Sequence, residues 1–139
     1  MANTKKSITF IVEGEPQGKG RHRMTKTGHT YTPEKTALYE NWVKTCYLSR
    51  TDKEMLIGPL KASIEAYFHI PISTPKKYIE DMISGKTLHT KKSDADNIAK
   101  VVLDSLNGIA YKDDSQVCEL YVKKMYSDNP RLEVTIQEL

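Results

Sequence analysis

The sequence predicts an α+β domain in which one mixed β-sheet of about four strands is covered by helices. Some segments alternate apolar and polar residues, as half-buried strands do, and others repeat apolar residues at helical spacing. The predicted order, β-α-β-α-α-β-β, is neither all-parallel nor repetitive, which favours the α+β class. The chain has 139 residues, 38% of them hydrophobic. That is enough for one modest core, so we predict a single domain spanning residues 1–139.

The chain is predicted to begin with a strand followed by a long loop. Ile8, Phe10 and Val12 recur at every second position and share one face of a strand at 7–12. Residues 14–30 combine glycines and basic side chains without apolar periodicity, so we expect them to form a loop.

The first helix is predicted at residues 33–49. Thr32 is suited to the N-cap, and a proline at position 33 is favoured in the first turn of a helix. We expect its buried face to carry the residues that recur at helical spacing, which are Leu38, Trp42, Thr45 and Cys46.

The rest of the chain is predicted to form a strand, two helices and two strands, at 60–70, 76–84, 94–107, 117–126 and 131–139. The strand at 60–70 alternates strictly between apolar and polar residues. Gly85 and Gly108 are placed to end the two helices. Residues 127–130 supply the turn between the last two strands.

Charge and hydropathy narrow the functional classes. The net charge is +3, and residues 1–35 carry seven Lys and Arg against three acids. A basic N-terminal region suggests a polyanionic partner, although a solvated charged face remains an alternative. No apolar stretch is long enough for a membrane span, and the start lacks a secretory signal, so we expect a cytoplasmic protein. Cys46 and Cys118 are expected to be reduced core residues.

Three carboxylates are candidate metal ligands. Asp94 and Asp96 lie where a loop enters a helix, a place where two acids can converge, although N-capping would also explain them. Asp114 follows the helix in a turn, and we expect the chain to return it beside the helix start. Three unpaired carboxylates at one point repel each other unless a cation is present. Oxygen ligands of this kind favour Mg²⁺, or Mn²⁺ in its place, over zinc.

Several basic residues are candidate partners of phosphate groups. Lys100 follows Asp96 by four residues, which fits either a surface ion pair or a cation that stabilises a charged transition state. The loop after the first strand does not have the spacing of a nucleotide-binding P-loop. We expect five residues to contact a nucleic-acid backbone, namely Lys19, Arg21, Arg23, Lys91 and Lys92.

Three motifs together resemble the RusA family of Holliday-junction resolvases. They are D-A-D-N-I-A-K at 94–100, D-S-L-N-G at 104–108 and D-D-S-Q-V at 113–117. The P-Q-G-K-G-R segment at 16–21 is similar to that family's loop after the first strand. The resemblance is dense over 93–124 and looser before residue 60.

The resemblance implies that Asp94, Asp96 and Asp114 are catalytic metal ligands and that Lys100 is a required catalytic lysine. It also implies a homodimer that makes paired nicks in four-way DNA junctions with Mg²⁺ or Mn²⁺, leaving ligatable 5′-phosphate ends. Many family members are encoded by bacterial prophages, so we expect a bacterial or phage-encoded protein.

We therefore predict a structure-specific endodeoxyribonuclease that acts in DNA recombination and repair by metal-assisted phosphodiester hydrolysis. The alternative is a non-catalytic, structure-specific DNA-binding protein whose acids only cap a helix and stabilise a turn. An RNA-directed module is the weaker possibility, because no predicted strand carries an RNP-like aromatic signature.

Overall fold

The computed structural model describes residues 4–20, 23–31, 33–50 and 54–139. Its centre is a mixed four-stranded sheet, as the sequence predicts. The strands are β1 (Ser7–Glu13), β4 (Leu60–Phe68), β5 (Val117–Tyr126) and β6 (Arg131–Glu138). They lie in the order β1-β6-β4-β5. β6 is antiparallel to both of its neighbours, whereas β4 and β5 are parallel.

Three helices complete the predicted order. They are α1 (Glu34–Leu48), α2 (Lys76–Ile83) and α3 (Ala95–Ser105). α1 and α3 contact each other and pack against the sheet. Alternate strand residues face these helices, so the burial patterns of β1 and β4 follow the predicted period of two. This side of the sheet holds the hydrophobic core.

The buried face of α1 differs from the predicted one. Leu38 and Trp42 are exposed, and the core is instead contacted by Tyr39, Val43 and Tyr47. Both sets recur at a spacing of four residues over two turns, 38/42/46 and 39/43/47, so spacing alone does not distinguish them. The prediction chose the wrong one of two adjacent stripes.

The predicted turn at 127–130 joins β5 to β6, and β4 lies between these two strands in the sheet. Two smaller predictions need correction. The predicted loop at 14–30 contains part of a short antiparallel pair, β2 (Arg23–Met24) with β3 (Thr30–Tyr31). Cys118 is free and exposed rather than buried, because it lies on the outer strand of the sheet.

No helix in the described ranges has the length and apolar character needed to cross a membrane.

Candidate functional site

Asp94 and Asp96 lie at the start of α3 with their carboxylates exposed. Asp94 is the N-cap residue, and its backbone carbonyl accepts a hydrogen bond from Ile98 N at 3.1 Å. Its side chain makes no capping hydrogen bond. Among the described residues, neither carboxylate has a hydrogen-bond or ion-pair partner at contact distance. Helix capping therefore does not use the Asp94 carboxylate.

Asp113 and Asp114 have different environments although they are adjacent. Asp113 caps a short 3₁₀ helix (Asp114–Gln116): its carboxylate accepts a hydrogen bond from Ser115 N at 3.1 Å, and the Gln116 side chain accepts one from Asp113 N. This bond with Ser115 lowers the pKa of Asp113. The Asp113 carboxylate thus has a structural role, which leaves Asp114 as the candidate ligand in this turn.

Asp114 contacts the C-terminal end of α3. Its backbone N–H donates to Asn107 Oδ1 at 2.7 Å, and its carboxyl group lies beside that of Asp104. Burial, followed by the negative charges of Asp113 and Asp104, raises the pKa of Asp114. Two neighbouring carboxylates repel each other unless a cation lies nearby, and Asp104 has such a cation in the ammonium of Lys19.

The candidate ligands therefore form two groups at opposite ends of α3. Asp94 and Asp96 lie at its start, and Asp114 lies beside Asp104 and Asn107 at its end. Eleven helical residues span about 16 Å. Within the described ranges, no three Asp, Glu, His or Cys side chains lie close enough to hold a metal ion. The ligand chemistry suits Mg²⁺, but the predicted convergence at one point does not occur within a single chain.

Lys100 is exposed on α3. The ion pairs found in the described part of the chain do not include one between Lys100 and Asp96, so of the two alternatives the surface ion pair is not formed. Its ammonium is accessible to a ligand.

Lys19 is engaged inside the protein. Its Nζ lies 2.9 Å from Glu40 Oε2 and 2.9 Å from Asp104 Oδ2, and 12% of its side chain is exposed. Burial lowers the pKa of Lys19, but the hydrogen bonds to Asp104 and Glu40 outweigh this effect and raise it. Arg21 and the side chain of Arg23 lie outside the described residues.

Lys91 and Lys92 are exposed and line a cleft of about 410 Å³ near the start of α3. The cleft also contains Phe68 and His89, whose rings are stacked with centroids 3.7 Å apart. Burial, followed by the charge of Lys124, lowers the pKa of His89 to about 4. The imidazole is therefore neutral at neutral pH, and the positive charge at this cleft comes from lysines.

The sequence prediction missed several residues that build this region. Asp104 is the first residue of the D-S-L-N-G motif and follows Lys100 by four residues. Its position on the same helix face as Lys100 could have identified it as a site residue. Lys124 donates a hydrogen bond to the Lys91 carbonyl. Burial lowers the pKa of Lys124, and the negative charge of Asp94 partly opposes this effect. Nothing in the local pattern of β5 or α1 marks Lys124 or Glu40, because both depend on tertiary contacts.

Comparison with known proteins identifies the family. Residues 13–137 match the family model described as Endodeoxyribonuclease RusA. The chain is also 37% identical over 137 residues to a Bacillus subtilis (strain 168) protein described as "Uncharacterized protein YqaN". That alignment covers 95% of this chain and 96% of the relative. The family match spans all three acidic motifs and the elements that carry them, and it shows that this chain belongs to the RusA family of endodeoxyribonucleases.

Proposed function

We propose that the protein resolves four-way DNA junctions by paired, Mg²⁺-dependent phosphodiester hydrolysis, with Mn²⁺ able to replace Mg²⁺. The observation that carries the proposal is the exposed pair Asp94 and Asp96, which lies in a motif that resembles the family's and in which the Asp94 carboxylate makes no capping hydrogen bond. The protein would act in the cytoplasm of a bacterial cell, on recombination and repair intermediates. Its gene would be bacterial or carried by a phage.

In this proposal Asp94, Asp96 and Asp114 hold the metal, and Lys100 is the catalytic lysine. A bound divalent ion would neutralise charge on the scissile phosphate. Lys100 extends from the same helix into solvent, where its fixed positive charge is available to the charge that develops in the transition state. The carboxylates at the helix start also lie near the positive end of the α3 dipole.

The proposal includes a homodimer that completes the metal site. One chain keeps Asp94 and Asp96 apart from Asp114 by the length of α3. In a two-fold arrangement of two copies, Asp94 and Asp96 of one protomer would meet Asp114 of the partner subunit. The symmetry would then form two identical sites. Two sites related by two-fold symmetry also suit paired cuts in a symmetric junction.

Removing Lys91 and Lys92 together should weaken junction binding, because these exposed lysines lie beside Asp94 and can meet phosphates. For Lys91→Ala/Lys92→Ala, we expect the slope of log affinity against log salt to fall by about 0.9 for each lost contact. Fluorescence anisotropy across a salt series measures this slope. A slope equal to that of the unmodified protein would show that both side chains remain in solvent.

Lys100→Met should slow nicking at least about tenfold, equal to about 1.4 kcal/mol of transition-state stabilisation, with little change in affinity. Single-turnover rates at saturating enzyme separate the two effects. Lys5→Met, at an exposed lysine ahead of β1, is the matched control. If Lys100→Met weakens binding but leaves the saturated rate intact, Lys100 is a phosphate anchor rather than a catalytic residue.

The function is tested with a synthetic four-way junction and a linear duplex of the same sequence, each labelled at its 5′ ends. We expect nicks in opposed strands of the junction in Mg²⁺, none in EDTA and none in the duplex. A metal-independent band shift without nicks would instead favour the non-catalytic junction-binding protein.

A further inference from the structure

Residues Gly18, Lys19 and Gly20 form a strap between α1 and α3. The backbone N–H of Gly18 donates to Ser93 Oγ at 3.0 Å. The N–H of Lys19 donates to the Asn97 carbonyl at 2.9 Å. The N–H of Gly20 donates to Thr36 Oγ1 at 2.9 Å. Three consecutive backbone N–H groups are therefore held by hydrogen bonds. Two of the three acceptors flank Asp94 and Asp96 in the sequence.

The strap lies too close to both helices for larger residues. A Cβ at Gly18 would lie 2.8 Å from Ser93 Cβ and 2.9 Å from Asn97 Cβ. At Gly20 it would lie 2.7 Å from Thr36 Oγ1. The two glycines are therefore required by close backbone approach to the start of α3 and to α1.

The Lys19 side chain connects the strap to the opposite end of α3. Its ammonium bridges Glu40 of α1 and Asp104, and Asp104 contacts Asp114. Both carboxylates are largely buried, with side-chain exposures of 17% and 26%. Removing the ammonium would leave two partly buried negative charges facing each other without a cation.

We propose that Lys19 is a positioning residue: as an internal counter-ion of Glu40 and Asp104, it holds the strap that fixes both acidic ends of α3, and it does not contact DNA. The proposal rests on the proposed nuclease function for its effect on rate, but its ion-pair part concerns the protein alone. It replaces the phosphate-contact role that the sequence predicts for Lys19.

Lys19→Met tests the positioning role against the DNA-contact role. We expect an unchanged salt slope for junction binding, since no phosphate contact is lost. The single-turnover rate at saturation should fall at least about tenfold, measured well below the melting temperature of the variant. A slope reduced like that of Lys91→Ala/Lys92→Ala would overturn the proposal, and so would a normal saturated rate.

Glu40→Gln gives a second test, in which the DNA-contact role and the positioning role of Lys19 predict different results. If Lys19 contacts DNA, removing Glu40 frees the ammonium and raises both affinity and salt slope. Under the positioning role, the slope stays the same and the saturated rate falls, because Lys19 loses one of its two charged anchors. Higher affinity with a steeper slope would therefore contradict the inference.

The ion pair itself is tested in the absence of DNA by melting Lys19→Met, Glu40→Gln and the double variant. We expect each single variant to melt several degrees lower, with the double variant close to Lys19→Met rather than at the sum of the two losses. Additive losses would overturn the ion-pair role. If the unmodified protein never nicks junctions, the proposed function and the positioning role both fail, whereas this melting cycle still decides the ion pair.

Discussion

Asp94→Asn, Asp96→Asn and Asp114→Asn are each expected to reduce junction cleavage by more than about 100-fold, equal to about 2.7 kcal/mol in the activation barrier. Each change removes one of the negative charges proposed to hold the metal ion, while the exposed lysines proposed to contact the DNA backbone stay in place. Junction affinity should therefore remain close to that of the unmodified protein. Single-turnover nicking in Mg²⁺ and anisotropy titrations in EDTA measure the two quantities separately.

Asp113→Asn is the matched control for Asp114→Asn. Asp113 caps the 3₁₀ turn, and Asn caps helices about as well as Asp. We therefore expect Asp113→Asn to keep most of the activity in the same assay. Near-normal turnover in any of the three ligand variants would show that the residue concerned is not a ligand. Equal sensitivity at 113 and 114 would remove the distinction between the two neighbouring acids.

The stability of Asp114→Asn distinguishes a lost ligand from a damaged fold. The pKa of Asp114 is raised in the folded protein, so the folded state binds protons more tightly than the unfolded state. The contribution of protonated Asp114 to stability is then lost as pH rises from the ordinary pKa of an aspartate through the raised pKa of Asp114. Ionised Asp114 is therefore unfavourable to the folded state at neutral pH. In metal-free buffer at neutral pH, Asp114→Asn should melt at the same temperature as the unmodified protein or higher. A clearly lower melting temperature would attribute its inactivity to misfolding.

Two inactive variants are expected to restore activity when they share a dimer. In a heterodimer of Asp94→Asn with Asp114→Asn, both defects fall in one of the two proposed composite sites, and the other site has all its carboxylates. Each heterodimer should therefore nick one strand, at about half the total strand-cleavage rate of the unmodified dimer. Co-expression with two affinity tags and sequential purification isolates the heterodimer for the junction assay.

The heterodimer of Asp94→Asn with Asp96→Asn is the matched control. Both changes lie at the start of α3, so each composite site carries one defect and the heterodimer should stay inactive. If Asp94→Asn with Asp114→Asn is equally inactive, the proposed sharing of ligands between protomers is wrong. The individual residues would still be judged by the single variants.

Local patterns were enough to predict the four strands of the main sheet and the three helices. Alternation fixes which residues of β1 and β4 are buried, and period-four spacing locates α1 and α3 to within two residues. The buried face of α1 could not be chosen in the same way, because Leu38 with Trp42 and Tyr39 with Val43 form adjacent stripes. The choice between them depends on contacts with the sheet, which local spacing does not contain.

The motifs identified the acidic residues but not their distribution in space. Asp114 follows Leu106 by eight positions, and an extended chain over eight steps reaches about 27 Å, enough to return to the start of α3. Instead, Gly108 N donates to the Tyr111 carbonyl at 2.9 Å, and the buried Tyr111 hydroxyl donates to Leu103 O at 2.6 Å. These bonds keep Asp114 at the end of α3. The spacing of residues along the chain does not specify such turn contacts, so the position of Asp114 could not be predicted from it.

The most direct test of paired, metal-dependent junction resolution uses a supercoiled plasmid that extrudes a cruciform. In Mg²⁺ the unmodified protein should convert it to linear product without accumulation of nicked circles, because two symmetric sites cut within one binding event, and EDTA should abolish both products. A plasmid that stays supercoiled in Mg²⁺, or linear product that persists in EDTA, would contradict this account.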